Sequence, residues 1–146
     1  MAMSEHIPFN VRASGSCHLD TVYRIYLLHD VFYGITASRQ TNVDEAWMKR
    51  FDRQDPRALV MQDKVNFSFH TRDVAASSID PPAPGAGHAA NFGIWNVRLQ
   101  DSTTMVFRFE SLQDIKLALH QIALPLGSRL AVNVTWDNGN QVFVAR

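Results

Sequence analysis

Thr21-Val-Tyr-Arg-Ile-Tyr-Leu-Leu-His-Asp-Val-Phe-Tyr-Gly-Ile-Thr-Ala37 is the stretch on which the fold turns. Its β-branched and aromatic density (Val22, Tyr23, Ile25, Tyr26, Val31, Phe32, Tyr33, Ile35) favours strands. A tight turn at His29-Asp30 then makes a hairpin. The rival reading is a helix with Asp20 as N-cap, Gly34 as the C′ residue and Ile35 supplying the apolar contact beyond it. The hairpin is the expectation taken forward.

Downstream the pattern is plainer. Phe92 to Leu99 alternates, with Trp95, Val97 and Leu99 on one face and Ile94, Asn96 and Arg98 on the other. Gln100-Asp101-Ser102 turns the chain, and Met105, Phe107 and Phe109 then share a face. Ser111 starts a helix over 112–124 in a Ser-x-x-Asp capping arrangement with Asp114. Leu112, Ile115, Leu119 and Ile122, widened by Ala118, form its apolar stripe. Pro125 and Gly127 are expected to stop it. The C-terminus reads as a hairpin around an Asn138-Gly139 turn, with Val134 opposite Phe143 and Val132 opposite Ala145.

Upstream, Ile7 to Arg12 reads as a short extended piece, and Ala13 to His18 as a loop. Asn42 to Arg53 reads as a short helix with Asp44 and Glu45 in its first turn and Val43, Trp47 and Phe51 on one face. Ala58–Met61 and Val65–Phe69 read as strands around Gln62-Asp63-Lys64. Residues 80–91, rich in proline and glycine, read as an internal loop rather than a domain boundary. Phe67-Ser-Phe69 and Phe107-Arg-Phe109, each followed by capping residues, echo one another as two unrelated strand ends.

The chain has 146 residues, 46% hydrophobic and 19% charged, with fourteen Lys+Arg against fourteen Asp+Glu. That length suits one α+β domain over 1–146, built on a mainly antiparallel sheet with two helices and a C-terminal hairpin. The absence of net charge argues against a nucleic-acid binder and leaves self-association unopposed. The single cysteine, Cys17, excludes an internal disulfide framework and a thiolate zinc site, and fits a cytoplasmic setting. No apolar run approaches the ~20 residues of a membrane span.

The run from Phe92 through Ile122 (strand, polar turn, strand, striped helix) is similar in layout to the end of a pleckstrin-homology-like roll. It departs from that pattern: the helix lacks a tryptophan, an extra hairpin follows, and the early turn His29-Asp30 has no basic residues. The resemblance therefore implies a fold, not phosphoinositide binding.

Chemistry-bearing patterns are sparse. His6, His18, His29, His70, His88 and His120 make no H-x-H, H-x-x-x-H or H-E-x-x-H pair, so no metal or cofactor site is expected. Cys17-His18 with Asp20 sits in a Ser/Gly loop, and sequence neighbours do not build a catalytic triad. No phosphate-cradling glycine motif and no glycosidase carboxylate pair is present. The surplus of aromatics is the remaining feature. Most belong to a core, but Tyr23, Tyr26, Tyr33, Trp95 and Phe143 are candidate ligand- or partner-binding residues, since Tyr and Trp anchor interfaces. The expected function is a non-catalytic module that binds a protein or its own copy as a homodimer. The alternatives are a small-ligand binder with an aromatic-lined pocket, or a small hydrolase using His or Cys17.

Overall fold

The computed structural model describes residues 7–13, 21–38, 49–82 and 92–146. Its strands are β1 (Phe9–Ala13), β2 (Val22–Leu28), β3 (Val31–Ser38), β4 (Phe67–His70), β5 (Val74–Asp80), β6 (Ile94–Leu99), β7 (Thr104–Phe109), β8 (Leu130–Val132), β9 (Val134–Asp137) and β10 (Val142–Ala145). Its helices are α1 (Pro56–Leu59) and α2 (Leu112–Leu126).

The stretch 21–37 is a hairpin. β2 and β3 pair antiparallel with Leu27 opposite Phe32 and Leu28 opposite Val31. His29 and Asp30 take φ of 51° and 63°, the left-handed backbone of a type I′ turn, whose twist matches that of the strands. Gly34, the rival helix's terminator, instead lies inside β3 opposite Phe67. A Cβ there would fall 2.2 Å from the Phe67 ring. Glycine is required because an aromatic from the next strand lies flat against the backbone.

Among the described residues the sheet has eight strands in the order β4-β3-β2-β1-β7-β6-β5-β8. Every neighbouring pair is antiparallel except β5 with β8. The sheet curls on itself. Phe32 of β3 meets Trp95 of β6 at 5.6 Å between ring centroids, and Phe67 of β4 meets Phe107 of β7 at 5.5 Å. Those strands are far apart in the sheet order, so their inward faces converge on one aromatic core. α2 closes that core with Ile115, Ala118, Ile122 and Leu126, all buried. A second cluster covers the outer face of β2 and β3, where Tyr26, Leu28, Tyr33 and Ile35 pack against Leu59. Each fully buried large apolar side chain contributes about 1.5–3 kcal/mol.

Several expectations are corrected. Ala58–Met61 is no strand: Asp55 caps α1 by accepting from the Arg57 amide, Pro56 opens it at the first position, and a 3-10 turn, Val60–Gln62, follows. Of the expected helix over 42–53, only residues 49–53 are described: Lys49 is helical, and Phe51–Arg53 form a 3-10 turn rather than a further α-helical turn. Asp80 ends β5 rather than opening the loop, while residues 83–91 lie outside the described residues. α2 runs through Pro125 to Leu126 and ends at Gly127, φ 55°. Arg129 caps the helix end by donating to the carbonyls of Pro125 and Leu126, and it also donates to those of Thr71 and Val74. The terminal hairpin is shifted by two residues, with Phe143 opposite Trp136 and Ala145 opposite Val134. Asp137 Oδ1 accepts from the amides of Gly139 and Asn140, and this side-chain turn replaces a two-residue loop. An even shift keeps apolar against apolar, so the faces are unchanged. β8 is severed from β9 at Asn133, whose amide donates to the Ile79 carbonyl and whose side chain donates to Asp80.

Candidate functional site

Four of the five candidate aromatics belong to the interior. Tyr23 and Trp95 sit in the main core, Tyr26 and Tyr33 in the outer cluster. None of these rings faces solvent, so in this fold they pack rather than present a binding surface. The Tyr23 hydroxyl donates to the Val65 carbonyl at 2.8 Å, and Trp95 Nε1 donates to Ser77 Oγ at 2.9 Å. Only Phe143 is half-buried, edge-on to Trp136 at 5.0 Å, with Lys116 Nζ 4.4 Å from the Trp136 centroid. This aromatic pair and its cation tie the C-terminal hairpin to α2.

A polar chain crosses the outer side of β2 and β1. The Arg24 guanidinium donates through Nε and Nη2 to the two Asp52 oxygens, each at 2.7 Å, and through Nη1 to Asn10 Oδ1 at 2.9 Å. The Tyr26 hydroxyl donates to Asp52 at 2.5 Å. The Asn10 amide donates to Asp114 Oδ1, and Ser111 Oγ donates to Asp114 Oδ2 while accepting from the Asp114 amide. Burial opposes ionisation of Asp52, but hydrogen bonds from Arg24 and Tyr26 outweigh it and hold the carboxyl below its usual range. Burial, reinforced by the Asp52 contact, pushes the Tyr26 phenol far above its usual range. Burial also pushes Asp114 up, against the bonds from Asn10 and Ser111. These are paired groups that fasten β1, β2, α2 and the 51–53 turn together. No described group sits among them as a free nucleophile or base.

The histidines do not converge on a nucleophile. His29 occupies the hairpin turn, His120 is exposed on α2, and His70 Nδ1 accepts from the Arg72 amide. Cys17 and His18, with His6 and His88, lie outside the described residues. Among the described residues no cluster of His, Cys, Asp or Glu is placed to hold a metal. No described helix is long and apolar enough to cross a membrane.

Two surface features remain. The first is the free edge of β10. The hairpin forms a two-stranded sheet, and no described strand lies beyond β10. Val142 and Val144, on the face opposite Phe143, are 38% and 37% exposed. Strand alternation turns Phe143 and Ala145 to one side and these two valines to the other.

The second is an open groove of about 380 Å³ on the outer face of β5, β6 and β7. Its floor is a grid of cross-strand neighbours: Ala76 beside Arg98 beside Thr104, and Ser78 beside Asn96 beside Val106. No aromatic lines it. At one end Asp80 accepts from Ser78 Oγ, Asn96 Nδ2 and Asn133 Nδ2 at 2.5, 2.7 and 2.7 Å. Burial opposes its ionisation, but these three donors prevail and lower its pKa.

The groove was not anticipated from the sequence, because β5 was not. Val-Ala-Ala-Ser-Ser-Ile-Asp has low strand propensity and no clean alternation, and a register shift between Val74 and Ala76 breaks its period. The small side chains that hide the strand also make the depression. No protein-family model matches the chain, and no curated protein matches it in sequence.

Proposed function

We propose that this chain is a non-catalytic interaction module that pairs with a second copy of itself through the free edge of β10. The observation that carries this reading is the edge itself: a strand with no described neighbour on its outer side, no charge or proline inside it and two exposed valines. A twofold axis normal to the hairpin sheet sets residues of the same face opposite one another. Centred on Phe143, it places Val142 against the partner's Val144, so the apolar positions complement themselves. The zero net charge leaves nothing in bulk electrostatics to oppose the contact. The strand has only four residues, and stable interfaces bury about 1,200–2,000 Å². The dimer is therefore concentration-dependent rather than permanent.

Sedimentation equilibrium tests this reading. The wild-type mass rises from one chain toward two across the micromolar to millimolar range. Val144→Lys, which adds a cation to the outward face only, keeps the mass at one chain with an unchanged melt. A single-chain mass for the wild type throughout, or undiminished association of the variant, overturns it.

The same proposal includes a pleckstrin-homology-like roll. The order β4-β3-β2-β1 joined to β7-β6-β5, with α2 after β7, supports it. β8, β9 and β10 are additions to that layout. A cytoplasmic location is proposed on the single cysteine. A protein partner, and no nucleic acid, is proposed on the balanced charge.

A further inference from the structure

We infer that the groove over β5, β6 and β7 binds a small carboxylate with an apolar body, held by Arg98 on its central strand, β6. The size fits: about 380 Å³ falls within the ~300–1,000 Å³ of small-molecule clefts. The shape follows from the chain, because the short side chains of Ala76 and Ser78 on β5 leave a hollow beside Arg98 and Asn96 of β6. The floor supplies methyl groups from Ala76 and Val106 beside the amide of Asn96 and the hydroxyl of Thr104.

Charge selects the ligand class. The face carries cations and carboxylates in unequal use. Glu110 is bonded to Arg12 at 2.7 Å, and Asp80 is saturated by its three donors. Arg98 is exposed and has no carboxylate or hydrogen-bond partner among the described residues. Arg108, two residues beyond Val106 on the same face and directly opposite Arg12, has a buried Nε with no acceptor. Like charges in directly opposed positions repel. Arg98 therefore presents a guanidinium with no described acceptor, between Ala76 and Thr104 on the groove's floor. A planar guanidinium fork matches a carboxylate in a two-bond contact, and a short alkyl chain matches the floor.

The test is an NMR titration with hexanoate, hexanamide and inorganic phosphate. Hexanoate shifts the amide signals of Asn96, Arg98, Thr104 and Val106 and saturates. Hexanamide and phosphate bind at least about tenfold more weakly, since one lacks the charge and the other the apolar body. Arg98→Gln weakens hexanoate by about ten- to hundredfold with an unchanged melt, because the side chain is exposed and unpaired. The inference is overturned if hexanoate leaves these signals unmoved, if phosphate binds as well as hexanoate, or if Arg98→Gln binds hexanoate like the wild type.

Discussion

Gly34 shows how one residue can read two ways. In a list of turn formers it marks a helix end; in the fold it makes room for the Phe67 ring. Gly34→Ala forces that ring aside and costs about 1–3 kcal/mol, as overpacking does. In urea melts the loss shrinks when Phe67→Leu is introduced first, because the two positions share the same space. An additive result means that the ring is not what excludes a side chain there.

The hydrogen-bonded carboxylates give opposite pH dependences. Asp52 and Asp80 have lowered pKa values in the fold. Their stabilisation is present above the unfolded carboxylate range and is lost as pH falls through the folded value. Asp114 is raised, so its contribution is present at acid pH and is lost as pH rises through its folded value. Melting temperatures measured from pH 3 to 7 read both signs. Asp52→Asn approaches wild type as the pH falls, whereas Asp114→Asn improves relative to wild type as the pH rises. A common trend for the two variants contradicts the assignment.

At the scale of elements, legibility followed how local the determinant is. The Ser111 cap was readable because both partners lie within one turn, and Ser111→Ala costs about 1 kcal/mol in denaturant melts. The inner stripe was readable from its period. Ile122→Ala costs about 2–5 kcal/mol and Leu119→Ala less, since Leu119 is only partly buried. Equal losses place Leu119 deeper than the structure does. The far end of α2 is legible only in part. Gly127 ends the helix as its residue type implies, but the chain stays helical through Pro125, and Arg129 holds the terminal carbonyls. α1 was mistaken for a strand because Ala58-Leu59-Val60-Met61 is a short apolar run without a decisive period. The Asp55-Pro56 start just before it carried the correct signal. The terminal hairpin's faces were legible, and its register was not, because Asp137 organises a longer turn than Asn-Gly alone implies.

At the scale of the whole molecule, contacts between sequence-distant strands decide what is inside. Trp95 faces Phe107 across the β6–β7 pair, but it meets Phe32 and Phe69 only because the sheet curls. No local pattern distinguishes that core from an exposed aromatic face. Hence the candidate rings Tyr23, Tyr26, Tyr33 and Trp95 are buried, while the groove and the β10 edge are surface features built without them. The terminal hairpin is visible in the sequence; that no described strand lies beyond β10 required the sheet order. Alternate amides of β10 face β9, and the others face the open edge. Amide hydrogen exchange across protein concentration is therefore the most direct measurement of self-pairing. The account predicts that the outward amides of 142–145 exchange fast in dilute solution and slow progressively as concentration rises, while those bonded to β9 change little. Outward amides that exchange equally fast at every concentration would contradict it.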